Sequence, residues 1–425
     1  MTTPRLVHVA DLETIYDDPE RVGRLAGAIR DRRDDRTLVV GSGDTTALGA
    51  LAFVSDEGFE LARPLYETIA PDADTLGNHE FDYGVDRASA WARTTPGRHL
   101  LGNVEGLPDD PTSPSAVFEV AGTRVGLVGV TDPRTDDISG LDLDATFTDP
   151  VRTVRDASDR LRSRGCEWIV VLSHCGSLDA TIAAETDADI VLGGHDHERV
   201  CERIEGTVVA RTEGGQAGTF QIVRLADSPA VEARTIESAP SHDGIESSYR
   251  ERYEATGLAD SVTTLSAPID RGTTARTVAR AYRERGTAAV GLVPRGSVRD
   301  GLPERVTRGD VIGVVPFGSV LHVHRVAGQT LEAIADRCRD RDDGTPGTIV
   351  MDCPSWSTDG DALVDGDPID PGGSYRVACM SYLTEVNLLP ELDSETLAED
   401  WGPQHEHVLA YLANGGSVAD LAGVR

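Results

Sequence analysis

The sequence contains no lysine. All 40 basic residues are arginine, set against 72 acidic residues, and the formal charge is −32 over 425 residues. Binding to nucleic-acid polymers or anionic membranes needs a basic footprint, and with Asp and Glu spread along the whole chain neither partner is expected. Such a surface suits concentrated salt, where screening lengths shrink to about 3 Å at 1 M and self-repulsion is muted. A salt-loving prokaryotic source is therefore expected. Cysteine is sparse too: Cys166, Cys175, Cys201, Cys338, Cys353 and Cys379 are dispersed with no CxxC pair. That spacing suggests neither a disulfide framework nor a zinc–thiolate site. No apolar run approaches the roughly 18–20 residues of a membrane span, and the first residues lack the charged and apolar regions of a secretion signal. A cytoplasmic location is expected. Aromatics make up only 5%, yet the 39% hydrophobic fraction can fill ordinary cores, so disorder is not the default.

The length accommodates two domains. In the first half, residues 5–9 and 37–40 read as buried strands, and 19–30 as a helix through Val22, Leu25 and Ile29. Residues 74–76 read as a short strand. Residues 116–120 and 124–130 form a hairpin around Ala121-Gly122. A helix at 150–164 leads to a strand at 168–172, a helix at 179–185 to a strand at 189–192, and three β-rich stretches end near 225. Strands alternating with helices and then meandering indicate an α/β sandwich. Domain boundaries are expected at 1–226, with 227–267 a Ser-, Ala-, Glu- and Thr-rich linker carrying a helix, and 268–425 a second unit. Residues 340–346 and 355–371 read as turn-rich loops.

The polar residues carry more information. Asp11, Asp44, Asn78, His174 and His195 each fall just after a predicted strand, at the sheet edge where α/β proteins build sites. In order they stand in Asp11-Leu12-Glu13, Gly43-Asp44, Gly77-Asn78-His79-Glu80-Phe81-Asp82, Ser173-His174 and Gly194-His195-Asp196-His197. Carboxylate, amide oxygen and imidazole together suit Mn, Fe or Zn. The glycines let backbone pass close to the ions. A bridging carboxylate can hold two ions roughly 3.5–4 Å apart, where they activate water and clamp phosphate oxygens.

This ordered set resembles the signature of calcineurin-like metallophosphoesterases, and Gly77-Asn78-His79-Glu80-Phe81-Asp82 is similar to the 5′-nucleotidase family. The resemblance implies a four-layer αββα sandwich followed by a C-terminal α+β domain. It implies one metal held by Asp11, Glu13, Asp44 and His197, and a second by Asp44, Asn78, His174 and His195. It also implies a catalytic His79, donating to the phosphate and oriented by Asp82. Two divalent ions are expected, Mn²⁺ favoured over Zn²⁺, Co²⁺ or Mg²⁺, because Glu13 stands where the family has His. The resemblance implies hydrolysis of a small phosphomonoester, above all nucleoside 5′-monophosphates. A phosphodiesterase, a nucleotide-sugar pyrophosphatase or a catalytically inactive nucleotide-binding protein are the alternatives.

In the second half, Pro316-Phe317-Gly318 resembles the segment carrying one base-stacking ring, and Tyr382 the other. Arg299 resembles the arginine ending the family's N-x-G-G-x-R motif, and Arg271 an upstream substrate arginine. The chain departs at Pro294 and Ser297, and Thr384-Glu385-Val386 replaces a Gly-Gly-Asp.

Overall fold

The computed structural model describes residues 3–139, 141–316, 318–339, 348–353, 355–356, 362–364 and 366–418. Two compact units emerge. The first comprises residues 1–48 and 55–253, the second 49–54 and 254–425.

The first unit holds two six-stranded sheets. Arg5–Val9 and Thr37–Gly41 are aliphatic runs buried nearly throughout, the composition of strands covered on both faces, and they pair in parallel at the centre of the first sheet. The full order is Ala230–Thr235, Thr219–Arg224, Arg5–Val9, Thr37–Gly41, Ala73–Asp74, Arg98–His99. The second sheet runs Val200–Ile204, Thr207–Arg211, Ile190–Gly193, Trp168–His174, Thr123–Thr131, Ser115–Val120. Leu6, Leu38 and Val40 of one sheet join Leu127, Leu172 and Leu192 of the other in a single apolar cluster. Each such side chain stabilises by about 1.5–3 kcal/mol. The outer face of the second sheet packs on Val154 and Leu161 of helix Pro150–Ser163 and Ile182 of helix Asp179–Glu185. Helices Pro19–Arg30 and Arg63–Ile69 pack on one another and complete the sandwich. The first begins where Asp18 accepts from the Glu20 and Arg21 amides ahead of Pro19, a pre-organised helix start.

The hairpin turns at Ala121 and Gly122 with φ of 50° and 79°, the left-handed pair that a two-residue connection favours.

Residues 227–267 differ from the expected linker. Ala230–Thr235 extends the first sheet, Asp243–Ala255 buries Tyr249, and Ser261–Thr264 pairs with Arg305–Thr307. Gly23 and Gly27 explain part of this. A Cβ on Gly27 would lie 1.8 Å from the Pro240 carbonyl, and one on Gly23 2.3 Å from Ser241 Oγ. Two glycines one helical turn apart thus open a groove that seats the segment. The strand expected at 74–76 is Ala73–Asp74.

The second unit is built on a five-stranded sheet ordered Ile349–Asp352, Val290–Pro294, Ser374–Met380, Val320–Ala327, Leu397–Pro403. It is antiparallel except for the parallel central pair Val290–Pro294 and Ser374–Met380. Val278 and Tyr282 of helix Arg271–Arg285 and Val408 and Tyr411 of helix Gln404–Ala413 complete its core. Helix Ala50–Val54 groups with this unit, the Phe53 ring standing edge-on to His405 at 4.8 Å. In the stretch expected as a loop at 355–371, Ser355–Trp356, Ala362–Val364 and Asp367–Pro368 pair as a small sheet. The expected loop at 340–346 lies outside the described residues. Among the described residues no helix is long and apolar enough to cross a membrane.

Candidate metal centre

The chain turns abruptly where its strands end. Asp11, Glu13, Asp44, His195 and His197 all have positive φ, at 53°, 33°, 51°, 80° and 51°. That conformation costs non-glycine residues about 1–3 kcal/mol each and concentrates at functional sites. Neighbouring glycines make the approach possible: a Cβ on Gly43 would lie 2.8 Å from His174 Nδ1, and one on Gly77 2.1 Å from Asp44 Oδ1.

Glu80 organises the two central loops. Its buried carboxylate accepts from the amides of Asp44 (3.0 Å), Thr45 (2.8 Å), Thr46 (3.0 Å) and Gly77 (2.6 Å). Those contacts fix Asp44 against the turn that carries Asn78 and His79.

The candidate ligands converge as three overlapping groups, Asp44/His174/His195, Asp11/Glu13/His197 and Glu13/Asp44/His79, with the ligand atoms of each group within 4.8 Å of one another. Asp44 Oδ2 is 2.9 Å from His174 Nε2, and Asn78 Oδ1 lies 3.2 Å from His174 Nε2 and 2.8 Å from His195 Nδ1. His197 Nε2 is 3.0 Å from Glu13 Oε1 and 3.6 Å from Asp11 Oδ1. The structure therefore brings together every residue the sequence nominated for metal binding. His79 stands beside them, its Nδ1 2.7 Å from Asp82 Oδ2 and its Nε2 3.9 Å from Glu13 Oε1.

Asp11, Glu13 and Asp44 are each only 1% exposed. Carboxylates buried this closely need compensating positive charge. The histidines register the demand. Burial opposes their charge, but Asp44, Asp82 and Glu13 together pull His79 up to about 9, Asp44 and Asp11 pull His174 up to about 10, and Glu13 and Asp11 pull His197 up to about 11. Against its own burial, Asp44 is held far below the usual carboxylate range by His174, His79 and His195. His195, buried and beside His174, is pushed down. A donor set of carboxylates, one amide oxygen and imidazoles in this arrangement fits two divalent cations.

The substrate candidates of the second unit fare unequally. Arg271 and Arg299 come together: burial lowers the Arg271 pKa, and the positive charges of Arg299 and Arg295 lower it further. Arg271 also donates to the carbonyls of Val298 (2.6 Å) and Arg295 (3.2 Å). Tyr382 packs against the second unit's core. Phe317 lies outside the described residues.

Two residues near the centre escaped the sequence reading. Asp132 follows strand Thr123–Thr131 and lies 3.8 Å from His195 Nε2, and Arg134 grips its carboxylate. Placement after a strand, the signal that found the other site residues, also applied to Asp132.

Residues 4–199 match the calcineurin-like phosphoesterase family, and residues 254–387 match the 5′-nucleotidase C-terminal domain. The chain therefore joins a calcineurin-like phosphoesterase domain to a 5′-nucleotidase C-terminal domain. The 5′-nucleotidases of Diplobatis ommata and Mus musculus are 32% and 30% identical over 174 and 175 residues, each alignment covering 39% of this chain and 30% of the relative. An apyrase of Aedes albopictus is 23% identical over 394 residues, 75% of this chain and 69% of that protein. Among solved structures, a 5′-nucleotidase precursor of Thermus thermophilus superposes with a TM-score of 0.78 at 20% identity, covering 98% of this chain and 97% of that one. The sulfate thiohydrolase SoxB of the same genus gives 0.77 at 16% identity, with 97% and 94% covered. These structures establish the fold.

Proposed function

We propose that the protein is a metal-dependent phosphoric ester hydrolase acting on phosphomonoesters, nucleoside 5′-monophosphates foremost. The observation that carries the reading is the convergence of buried Asp11, Glu13, Asp44, Asn78 and His174 with the half-buried His195 and His197, beside His79. Asp11, Glu13, Asp44 and His197 would hold one divalent ion and Asp44, Asn78, His174 and His195 another, with Asp44 shared. When bound, such a pair supplies an activated water and neutralises phosphoryl charge.

The chain's own part is positioning and proton supply. His79 has its Nδ1 committed to Asp82 and its Nε2 turned toward Glu13. Asp82 and the neighbouring carboxylates favour its protonated form, which can donate to a phosphoryl or leaving-group oxygen. Asp82 keeps the ring oriented and charged. Burial of the centre strengthens each of these interactions. Arg271, Arg299, Phe317 and Tyr382 are carried as the residues that bind the leaving nucleoside. Pro294 and the sequence Thr384-Glu385-Val386, in place of the family's polar motifs, favour a second reading, a phosphodiester or nucleotide-sugar substrate processed by the same centre.

Glu13 in place of His makes the first ion site more anionic and favours Mn²⁺ over Zn²⁺. The absence of lysine and the charge of −32 support function in molar salt. Six dispersed cysteines with no CxxC pair support a reducing, cytoplasmic setting. Phosphate release from AMP should stop on chelation and return with Mn²⁺; activity indifferent to chelation would sink the reading.

A further inference from the structure

Asp132 is fully buried, yet it belongs to none of the converging ligand groups among the described residues. Its position is fixed from several sides. Its amide donates to the His174 carbonyl (2.9 Å), and the Thr135 amide donates to its own carbonyl (3.1 Å). Asn103 brackets the preceding residue, its Nδ2 donating to the Thr131 carbonyl (2.9 Å) and its Oδ1 accepting from the Thr131 amide (3.0 Å). The carboxylate accepts from Arg134 N (2.7 Å), Nε (3.1 Å) and Nη2 (2.7 Å). Its Oδ2 faces His195 Nε2 at 3.8 Å. The other ring nitrogen, Nδ1, points the opposite way, 2.8 Å from Asn78 Oδ1 on the side where Asp44 and His174 gather.

We infer that Asp132 is the positioning residue for His195. It holds the ring proton on Nε2, so that the Nδ1 lone pair is aimed at the ion-binding cluster. A carboxylate behind a metal-binding imidazole fixes its tautomer and raises its basicity, and losing such a partner costs about 10–100-fold in metal affinity. At 3.8 Å the pair is within ion-pair reach, and a shift of about 1 Å brings it to hydrogen-bond length. Arg134, whose side chain is 62% exposed, neutralises the carboxylate from the solvent side. That lets an acid lie buried beside His195 without adding net negative charge to an already acidic centre. The three Arg134 contacts and the His174 and Asn103 backbone bonds leave Asp132 little freedom except to face the ring.

The inference rests on the two-ion reading, and the experiment separates the two. Full-length protein stripped of metal is titrated with Mn²⁺ by calorimetry in molar salt, free Mn²⁺ being followed by electron paramagnetic resonance. The wild type should take up two ions. Asp132→Asn, nearly isosteric and still able to accept from Arg134, should hold one of them about 10–100-fold more weakly, and Asp132→Glu should recover part of the loss. Wild type binding no Mn²⁺ would remove the metal reading and this proposal with it. Wild type and Asp132→Asn binding both ions equally would overturn the proposal alone. A second readout needs no variant: long-range ¹⁵N–¹H correlation spectra of the wild type loaded with a diamagnetic divalent ion should show His195 as the Nε2–H tautomer, its Nδ1 having exchanged the Asn78 Oδ1 contact for the ion. A dominant Nδ1–H tautomer would overturn the assignment.

Discussion

Replacing Glu80 by Gln should disable the centre without touching a ligand. Glu80 Oε1 accepts from the Thr45 and Thr46 amides, and Oε2 from the Asp44 and Gly77 amides. Whichever way a Gln amide is turned, its NH₂ faces two buried N–H donors. Two hydrogen bonds to a charged acceptor are then lost, each contributing about 1.5–3 kcal/mol. Part of that is returned, because burial disfavours the carboxylate charge and raises its pKa, whereas Gln carries none. The net cost is about 3 kcal/mol. For a unit of this size a kcal/mol corresponds to about 2–4 °C, so the first unit should melt about 6–12 °C lower. The released Asp44 loop should also weaken Mn²⁺ binding by at least tenfold. Scanning calorimetry in molar salt and a Mn²⁺ titration measure both effects. A Glu80→Gln protein that melts within about 1 °C of wild type and binds Mn²⁺ normally would refute the claim that this carboxylate holds the two loops together.

Other consequences are as direct. His79→Ala should slow turnover by about 10²-fold or more while leaving Mn²⁺ binding intact; steady-state kinetics beside a metal titration decide it. Burial and the charge of Glu80 push Asp74 up to about 8, whereas the unfolded chain titrates near 4. Its stabilising contribution is therefore full below about pH 4 and is lost as pH rises through about 8. Asp74→Asn should flatten the decline in melting temperature across that window, and an unchanged slope would count against a neutral Asp74. Glu13→His should shift preference toward Zn²⁺ over Mn²⁺ by about tenfold or more, read by competition between the two ions on stripped protein.

Much of the first unit was legible because its strands are aliphatic runs that end in Gly or short polar residues, and those ends carry the candidate site residues. Arg5–Val9, Thr37–Gly41 and Trp168–His174 lie within a residue or two of their expected bounds, and the candidate ligands at their ends converge. Peripheral strands were not legible. Ala230–Thr235 and Leu397–Pro403 lie at sheet edges with little buried surface, so no apolar run marks them, and the Pro240–Ser241 segment after the first is seated by Gly23 and Gly27, more than 200 residues earlier in the sequence. Helix Arg308–Val314 carried a readable start, a capping box between Thr307 and Asp310, but its seven residues were too few for a clear period. Asp132 carried the same mark, directly after strand Thr123–Thr131, but its partner, His195, stands far along the sequence and only the fold sets the two face to face.

The central claim is tested most directly by phosphate release in molar salt with Mn²⁺, across AMP, other nucleoside 5′-monophosphates, a cyclic nucleotide, a nucleotide sugar and an aryl phosphate. The account predicts turnover of the 5′-monophosphates ahead of the rest. Hydrolysis of the aryl ester alone would keep the metal chemistry and discard the nucleotide substrate, and silence across the whole panel and every divalent ion supplied would contradict the assignment as a hydrolase.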